Sequence, residues 1–185
     1  MPPGLGGGSS DAAACLKACS KLWSSDIDFK PLALQIGSDI PVCLAAKPAI
    51  MRGIGDIILP VPPLPVLHAV LIWPGQIAPT PDVYKNLRIE KYSEEFLFDP
   101  NNLIDGLKRT RNDLENSAFE LFPVIQEALT VLRQNPDCLF ARMSGSGSSV
   151  FGIFESKDRS IQSAEKIKAA YPDWWVRSCR FNSCD

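Results

Sequence analysis

Histidine is almost missing from this chain of 185 residues, where His68 stands alone. Zinc sites of the usual cysteine–histidine spacing are excluded with it, because the six cysteines (15, 19, 43, 138, 179 and 184) contain no C-x-x-C pair. A serine hydrolase is poorly supplied too. His68 lies in an apolar run, where a core or sheet role is expected, and no G-x-S-x-G elbow occurs. Clustered basic charge is also absent: 19 Lys and Arg are spread along the chain against 21 Asp and Glu, for a net charge of -2. That argues against nucleic acid as a partner. The longest apolar run, residues 64–73, is broken by Pro65 and His68 and is too short to cross a bilayer. Met1-Pro2-Pro3-Gly4 offers neither the basic region nor the apolar stretch of a signal peptide. The expectation is a cytoplasmic protein without membrane contact, its thiols reduced, buried and structural. Cys15 and Cys19 would be neighbours one helical turn apart.

What is present suits a globular protein of one large domain or two small ones, with 45% hydrophobic and 22% charged residues. Residues 12–22 predict a helix with Ala12, Leu16, Cys19 and Trp23 on one face and Ser10 or Asp11 as its cap. A short helix follows, with Pro31 in its first turn and Gly37 at its end. Residues 40–60 read as two strands around the turn residues 52–56. Four prolines between 60 and 65 make a stiff connector, which divides the chain into residues 1–63 and 64–185. The second part predicts a strand at 66–73 and a helical region over 113–134 that begins or bends at Pro123 and carries Leu121, Ile125, Leu129 and Leu132 on one stripe. Strands at 138–143 and 150–154, a helix at 160–171 and a strand at 175–181 complete it. The fold class is α+β, and this order suggests a ferredoxin-like split βαβ layer with helices on one face.

Three segments carry candidate chemistry. Gly4-Leu5-Gly6-Gly7-Gly8-Ser9-Ser10 runs straight into the first helix. A helix N-terminus presents unpaired N–H groups and partial positive charge, and glycines let backbone curl around a phosphate without a Cβ in the way. A flexible linker or a plain helix cap competes with that reading. No Gly-Lys-Ser/Thr follows, so this is not a Walker A loop. Asp39, within Gly37-Ser38-Asp39-Ile40-Pro41, reads most simply as a turn aspartate bonded to its own backbone. Residues 143–149 (MSGSGSS) read either as a flexible hairpin loop or as a close approach to a ligand.

Together, and in this order, the three segments resemble the galactokinase, homoserine kinase, mevalonate kinase and phosphomevalonate kinase superfamily. Residues 4–14 (GLGGGSSDAAA) are similar to its phosphate loop, and the doubled glycine resembles the variant of the 4-diphosphocytidyl-2-C-methyl-D-erythritol kinase family. Gly37-Ser38-Asp39-Ile40-Pro41-Val42 resembles that family's catalytic aspartate segment, and residues 142–151 (RMSGSGSSVF) its third, glycine-rich motif. Pro79-Thr80-Pro81-Asp82-Val83-Tyr84 resembles a cytidine-pocket segment, and Arg111-Asn112-Asp113-Leu114-Glu115 an Asn-Asp-Leu-Glu element. The likeness covers essentially the whole chain.

The resemblance implies an incomplete ribosomal-protein-S5-like kinase subdomain over residues 1–63, followed by the ferredoxin-like kinase subdomain over 64–185. It implies a transferase of isoprenoid synthesis by the non-mevalonate route, moving the γ-phosphoryl group of ATP to the 2-hydroxyl of the cytidine diphosphate-linked methylerythritol. In that scheme Gly4, Leu5, Gly6, Gly7, Gly8, Ser9 and Ser10 cradle the nucleotide phosphates through backbone N–H groups. Asp39 orients the hydroxyl and accepts its proton, Thr80 and Tyr84 hold the cytidine, and Gly145, Ser146 and Gly147 close around the substrate. Magnesium bridges phosphate oxygens with Ser10 as its candidate ligand. The setting implied is bacterial cytosol, or a plastid in a eukaryote. Family members carry a longer N-terminal region with a lysine beside the aspartate, so the expectation for this chain is weak turnover, poor nucleotide affinity and self-association into a homo-oligomer. Another kinase of the superfamily, or a non-catalytic binding module, are the competing functions.

Overall fold

The computed structural model describes residues 2–24, 27–89, 91 and 99–182. They form two compact units, one of Gly6–Leu64 and one of Met1–Leu5 together with Pro65–Asp185. The short N-terminal stretch thus groups with the C-terminal part of the chain, across the division expected from the proline connector.

The unit Gly6–Leu64 is helical with one hairpin. Helix α1 (Gly7–Leu22) packs beside α3 (Ile40–Ala45), and α2 (Lys30–Ile36) packs on α3. Strands β1 (Ala49–Arg52) and β2 (Ile57–Pro60) pair antiparallel. The stretch from Ile40 begins α3 and not the first of the two strands expected over residues 40–60. Pro41 occupies the first turn of α3, where its fixed φ and missing N–H favour helix initiation. The core here is small: Ala13, Ala33 and Ile40 are its buried apolar residues, with Ala12, Leu16, Cys43 and Leu44 packed around them.

The other unit is built on a four-stranded sheet ordered β4–β5–β3–β6, antiparallel throughout. Its strands are β3 (Leu67–Trp73), β4 (Cys138–Met143), β5 (Val150–Phe154) and β6 (Trp175–Phe181). With helices after the first and third of these strands, this is the ferredoxin-like order. Ala69, Val70 and Ile72 of β3 are buried; β3 is a central strand, flanked on both sides. Helix α4 (Thr80–Lys85), a 3-10 turn at Pro100–Asn102 and α5 (Leu103–Lys108) precede α6 (Glu115–Leu121) and α7 (Pro123–Arg133). The predicted break at Pro123 is real: Phe122 leaves helical geometry at φ -137 and ψ 75, and Pro123 starts α7. Along α7, Ile125, Ala128, Leu129 and Leu132 are buried at helical spacing. Helix α8 (Lys157–Ala170) starts three residues earlier than expected because the Ser156 hydroxyl accepts the Arg159 N–H. Among the described residues no helix is long and apolar enough to cross a membrane.

The described cysteines are unpaired, and against expectation none of them is fully buried. Cys15 is exposed, on the solvent side of α1, whereas burial pushes the thiols of Cys138 and Cys179 above their ordinary pKa. Cys184 lies outside the described residues.

Candidate functional site

The glycine run is less a loop before a helix than the first turn of the helix itself. Gly6, at φ 69, is the N-cap of α1, and Gly7, Gly8, Ser9 and Ser10 are already helical. A left-handed cap is where glycine carries no penalty. The N–H groups of Gly7, Gly8 and Ser9 therefore have no acceptor one turn back within the helix. Open space surrounds Gly6 and Gly8, where an added Cβ would meet nothing within 4 Å. The Ser10 N–H is different, for it donates to Gly6 O at 2.9 Å. Of Ser10 the side chain remains for a ligand. Its hydroxyl lies 3.7 Å from Cys43 Sγ on α3.

Asp39 is the N-cap of α3, exposed, and makes no side-chain cap hydrogen bond. The turn role expected of an aspartate there is thus not taken up at the helix head. Cys43 lies four residues, about 6 Å, further along α3. The Ser10–Cys43 contact therefore sets the head of α1 beside the first turn of α3, and the amide cluster and Asp39 share one unit. Sequence reasoning took Gly55 only as turn chemistry, yet it packs closely against Ser38, the residue before this aspartate. At Gly55 (φ 90) an added Cβ would lie 2.9 Å from Ser38 C and 3.1 Å from Ser38 Cα, closer still to the Ser38 carbonyl oxygen. The hairpin backbone thus presses on the residue before Asp39.

In the other unit, residues 144–149 join β4 to β5. Ser144 N donates to Ser149 O and Gly147 N to Ser144 O, both at 2.9 Å. Gly145 and Gly147 take positive φ, 55 and 92. Ser146 Oγ lies 2.8 Å from Thr80 Oγ1 at the start of α4, so two of the sequence-predicted substrate residues meet. Tyr84, one turn on, is 57% exposed, its ring free to stack. The Ser148 hydroxyl donates to Gln76 O. Gly4 and Leu5 belong to this unit rather than to that of Gly6–Ser10. Ser144 Oγ donates to Gly4 O and Ser149 Oγ to Pro3 O, each at 2.6 Å. A Cβ on Gly4, whose φ is 87, would fall 2.6 Å from Gly147 O; only glycine fits.

Arg142, before the loop, donates to Thr110 Oγ1 at 2.6 Å and Leu107 O at 3.0 Å and stands 4.7 Å from the Phe140 ring centroid. Burial lowers its pKa, with the Glu115 carboxylate acting in the opposite sense. The Asn-Asp-Leu-Glu element, matched in sequence but given no role there, contacts the same strand end.

The sequence pattern described as GHMP kinases C terminal matches residues 94–173. The chain is 42% identical over 183 residues to the 4-diphosphocytidyl-2-C-methyl-D-erythritol kinase of Cereibacter sphaeroides, covering 96% of this chain and 66% of that protein. It is 42% identical over 191 residues to the kinase of the same name from Mesorhizobium japonicum, covering 98% and 64%. It therefore spans a little under two thirds of the length of these relatives. Among solved structures, a 4-(cytidine 5'-diphospho)-2C-methyl-D-erythritol kinase matches with a TM-score of 0.78 at 36% identity, covering 96% of this chain and 67% of that one. Homoserine kinase from Cytophaga hutchinsonii shares the fold, with a TM-score of 0.73 at 18% identity over 97% of this chain and 66% of that one.

Proposed function

Because the chain belongs to the 4-diphosphocytidyl-2-C-methyl-D-erythritol kinase family, within the GHMP kinases, we propose that it transfers the γ-phosphoryl group of ATP to the 2-hydroxyl of 4-diphosphocytidyl-2-C-methyl-D-erythritol, a step of non-mevalonate isoprenoid synthesis. The observation that carries this reading is the placement, in one unit, of the glycine-capped head of α1 beside α3, whose N-cap is the exposed Asp39.

Phosphoryl transfer asks little covalent chemistry of a protein and much positioning. The amides of Gly7, Gly8 and Ser9, with the positive end of the α1 dipole, hold phosphate oxygens. Asp39 aligns the 2-hydroxyl and takes its proton as the new oxygen–phosphorus bond forms. The bond from the γ-phosphorus to the β–γ bridging oxygen breaks, and ADP leaves with that electron pair. Thr80 and Tyr84 hold the cytidine end, with Tyr84 stacked on the base, while Gly145, Ser146 and Gly147 bound the methylerythritol or phosphate region.

Magnesium suits this arrangement as a phosphate-borne ion. Among the described residues no three His, Cys, Asp or Glu side chains are grouped to hold a metal, so phosphate oxygens would supply most of its ligands and Ser10 Oγ one more. Bound there, it would offset negative charge on the phosphates.

The test is single-turnover transfer of labelled γ-phosphate by the purified chain and its Asp39→Asn variant. The substitution should lower the transfer rate by about 10²–10⁴-fold and leave nucleotide affinity, measured by titration, within about twofold. Equal transfer rates for the two proteins would overturn the assignment.

A further inference from the structure

Helix α4 has six residues, too few to keep a helical conformation in water without support. Thr80 and Tyr84 stand one turn apart on one face of it. The support comes from α6. Val83 is buried in the same core cluster as Ala118 of α6, and the hydroxyl of Ser117, also buried, donates to Val83 O. That carbonyl belongs to the last turn of α4, where a helix offers it no N–H; the Leu87 N–H goes to Tyr84 O instead, at 3.1 Å. Asn86, the C-cap residue, ties the same end to α6 a second time. Its Nδ2 donates to Ser117 O at 3.4 Å and to Glu120 Oε2 at 3.1 Å. The Val83 carbonyl and the Tyr84 Cα lie in one planar peptide unit. Fixing that oxygen therefore fixes the plane from which the Tyr84 side chain departs.

We propose that Ser117 and Asn86 are positioning residues for recognition of the substrate's pyrimidine end. Ser117 acts through the Val83 carbonyl and sets the direction in which the exposed Tyr84 ring is presented. Asn86 closes the helix end against α6, so that α4 keeps its six residues helical. The pyrimidine rests on the kinase reading, in which Tyr84 stacks on the base. The tie between α4 and α6 does not, since it is made by protein atoms of one unit.

Both parts can be measured on the 185-residue chain with Ser117→Ala and Asn86→Ala, each made in the parent and in a Tyr84→Leu background. Ser117→Ala deletes the hydroxyl and introduces the best helix former, so α6 itself is not weakened. Asn86→Ala breaks the tie from the α4 side and carries the test if Ser117→Ala fails to fold. Tyr84→Leu keeps an apolar side chain without a stacking face. Peptide-resolved hydrogen exchange over residues 80–88 is the first readout, and titration with cytidine 5'-diphosphate the second. Each anchor variant should speed exchange there about fivefold to tenfold, the effect of one lost hydrogen bond, and leave β3 and β5 unchanged. In the parent it should weaken cytidine 5'-diphosphate about threefold to tenfold. In the Tyr84→Leu background the same substitution should change affinity by less than about twofold, because the ring it positions is gone. Equal losses in both backgrounds, as a merely structural defect would give, or unchanged exchange over residues 80–88, would overturn the proposal. Should the parent chain bind no cytidine 5'-diphosphate, the pyrimidine reading falls, while exchange still decides whether Ser117 and Asn86 hold α4.

Discussion

Gly55→Ala is the sharpest single test of how Asp39 is held. The substitution places a methyl group against the Ser38 carbonyl at a backbone φ of 90. The dihedral alone costs about 1–3 kcal/mol for a residue with a Cβ. Relieving the clash costs about another 1–3 kcal/mol, because the neighbour is backbone and can only move as a whole. Gly53→Ala is the matched control. Its φ of 63 also favours glycine, at about 1–2 kcal/mol for alanine. There, however, the new methyl group meets the Asp56 carboxylate, which can swing away at the loss of its 3.0 Å hydrogen bond from Ile54 N, a bond worth about 1 kcal/mol. Gly55→Ala should therefore destabilise the hairpin by about 2–6 kcal/mol and also disturb residues 37–41, whereas Gly53→Ala should leave 37–41 alone. Hydrogen exchange over residues 37–60 with urea titration reads both quantities, and single-turnover transfer reads the consequence at Asp39. If the two variants perturb residues 37–41 equally, or neither does, the bracing of Asp39 by the hairpin is wrong.

Three further expectations follow from burial. Cys15 should react with iodoacetamide well before Cys138 and Cys179, as peptide mass spectrometry would show, since exposure favours the first and burial holds the other two as neutral thiols. Their raised pKa values contribute stability that is complete below the ordinary thiol pKa and is lost as pH rises from there toward the raised value, because the unfolded chain ionises first; urea midpoints measured at alkaline pH should fall, and should fall less in Cys138→Ala after allowing for its lower starting stability. Ile125→Ala, fully buried under the sheet, should cost about 2–5 kcal/mol in urea unfolding; a loss below about 1 kcal/mol would mean that α7 is not packed as described.

The four strands of the larger sheet were legible because central strands read as apolar runs bounded by turn residues, and β3 does so for seven residues. The break at Pro123 was legible from one ring. Helix α3 was not, since Ile40, Val42 and Leu44 mimic strand alternation; the overlooked signal was Pro41 two residues after Asp39, within the first turn, an ordinary helix start. The start of α1 was placed too late because glycine has low helix propensity, whereas Gly6 acts as a cap and not as a breaker. At the site, the glycine run and Asp39 stand out locally. The bonds from Ser144 to Gly4 and from Ser149 to Pro3 join positions 140 and 146 residues apart, and no local pattern announces them.

Those two hydroxyl contacts have a consequence for chain entropy. Pro3 and Gly4 on one side, and everything from Pro65 on the other, belong to the same unit, so Gly6–Leu64 is an excursion pinned at both ends. A segment tethered twice has fewer unfolded conformations to gain than one left dangling. Two serine side chains thereby lend stability to a helical pair whose own interior, two alanines and an isoleucine, provides little.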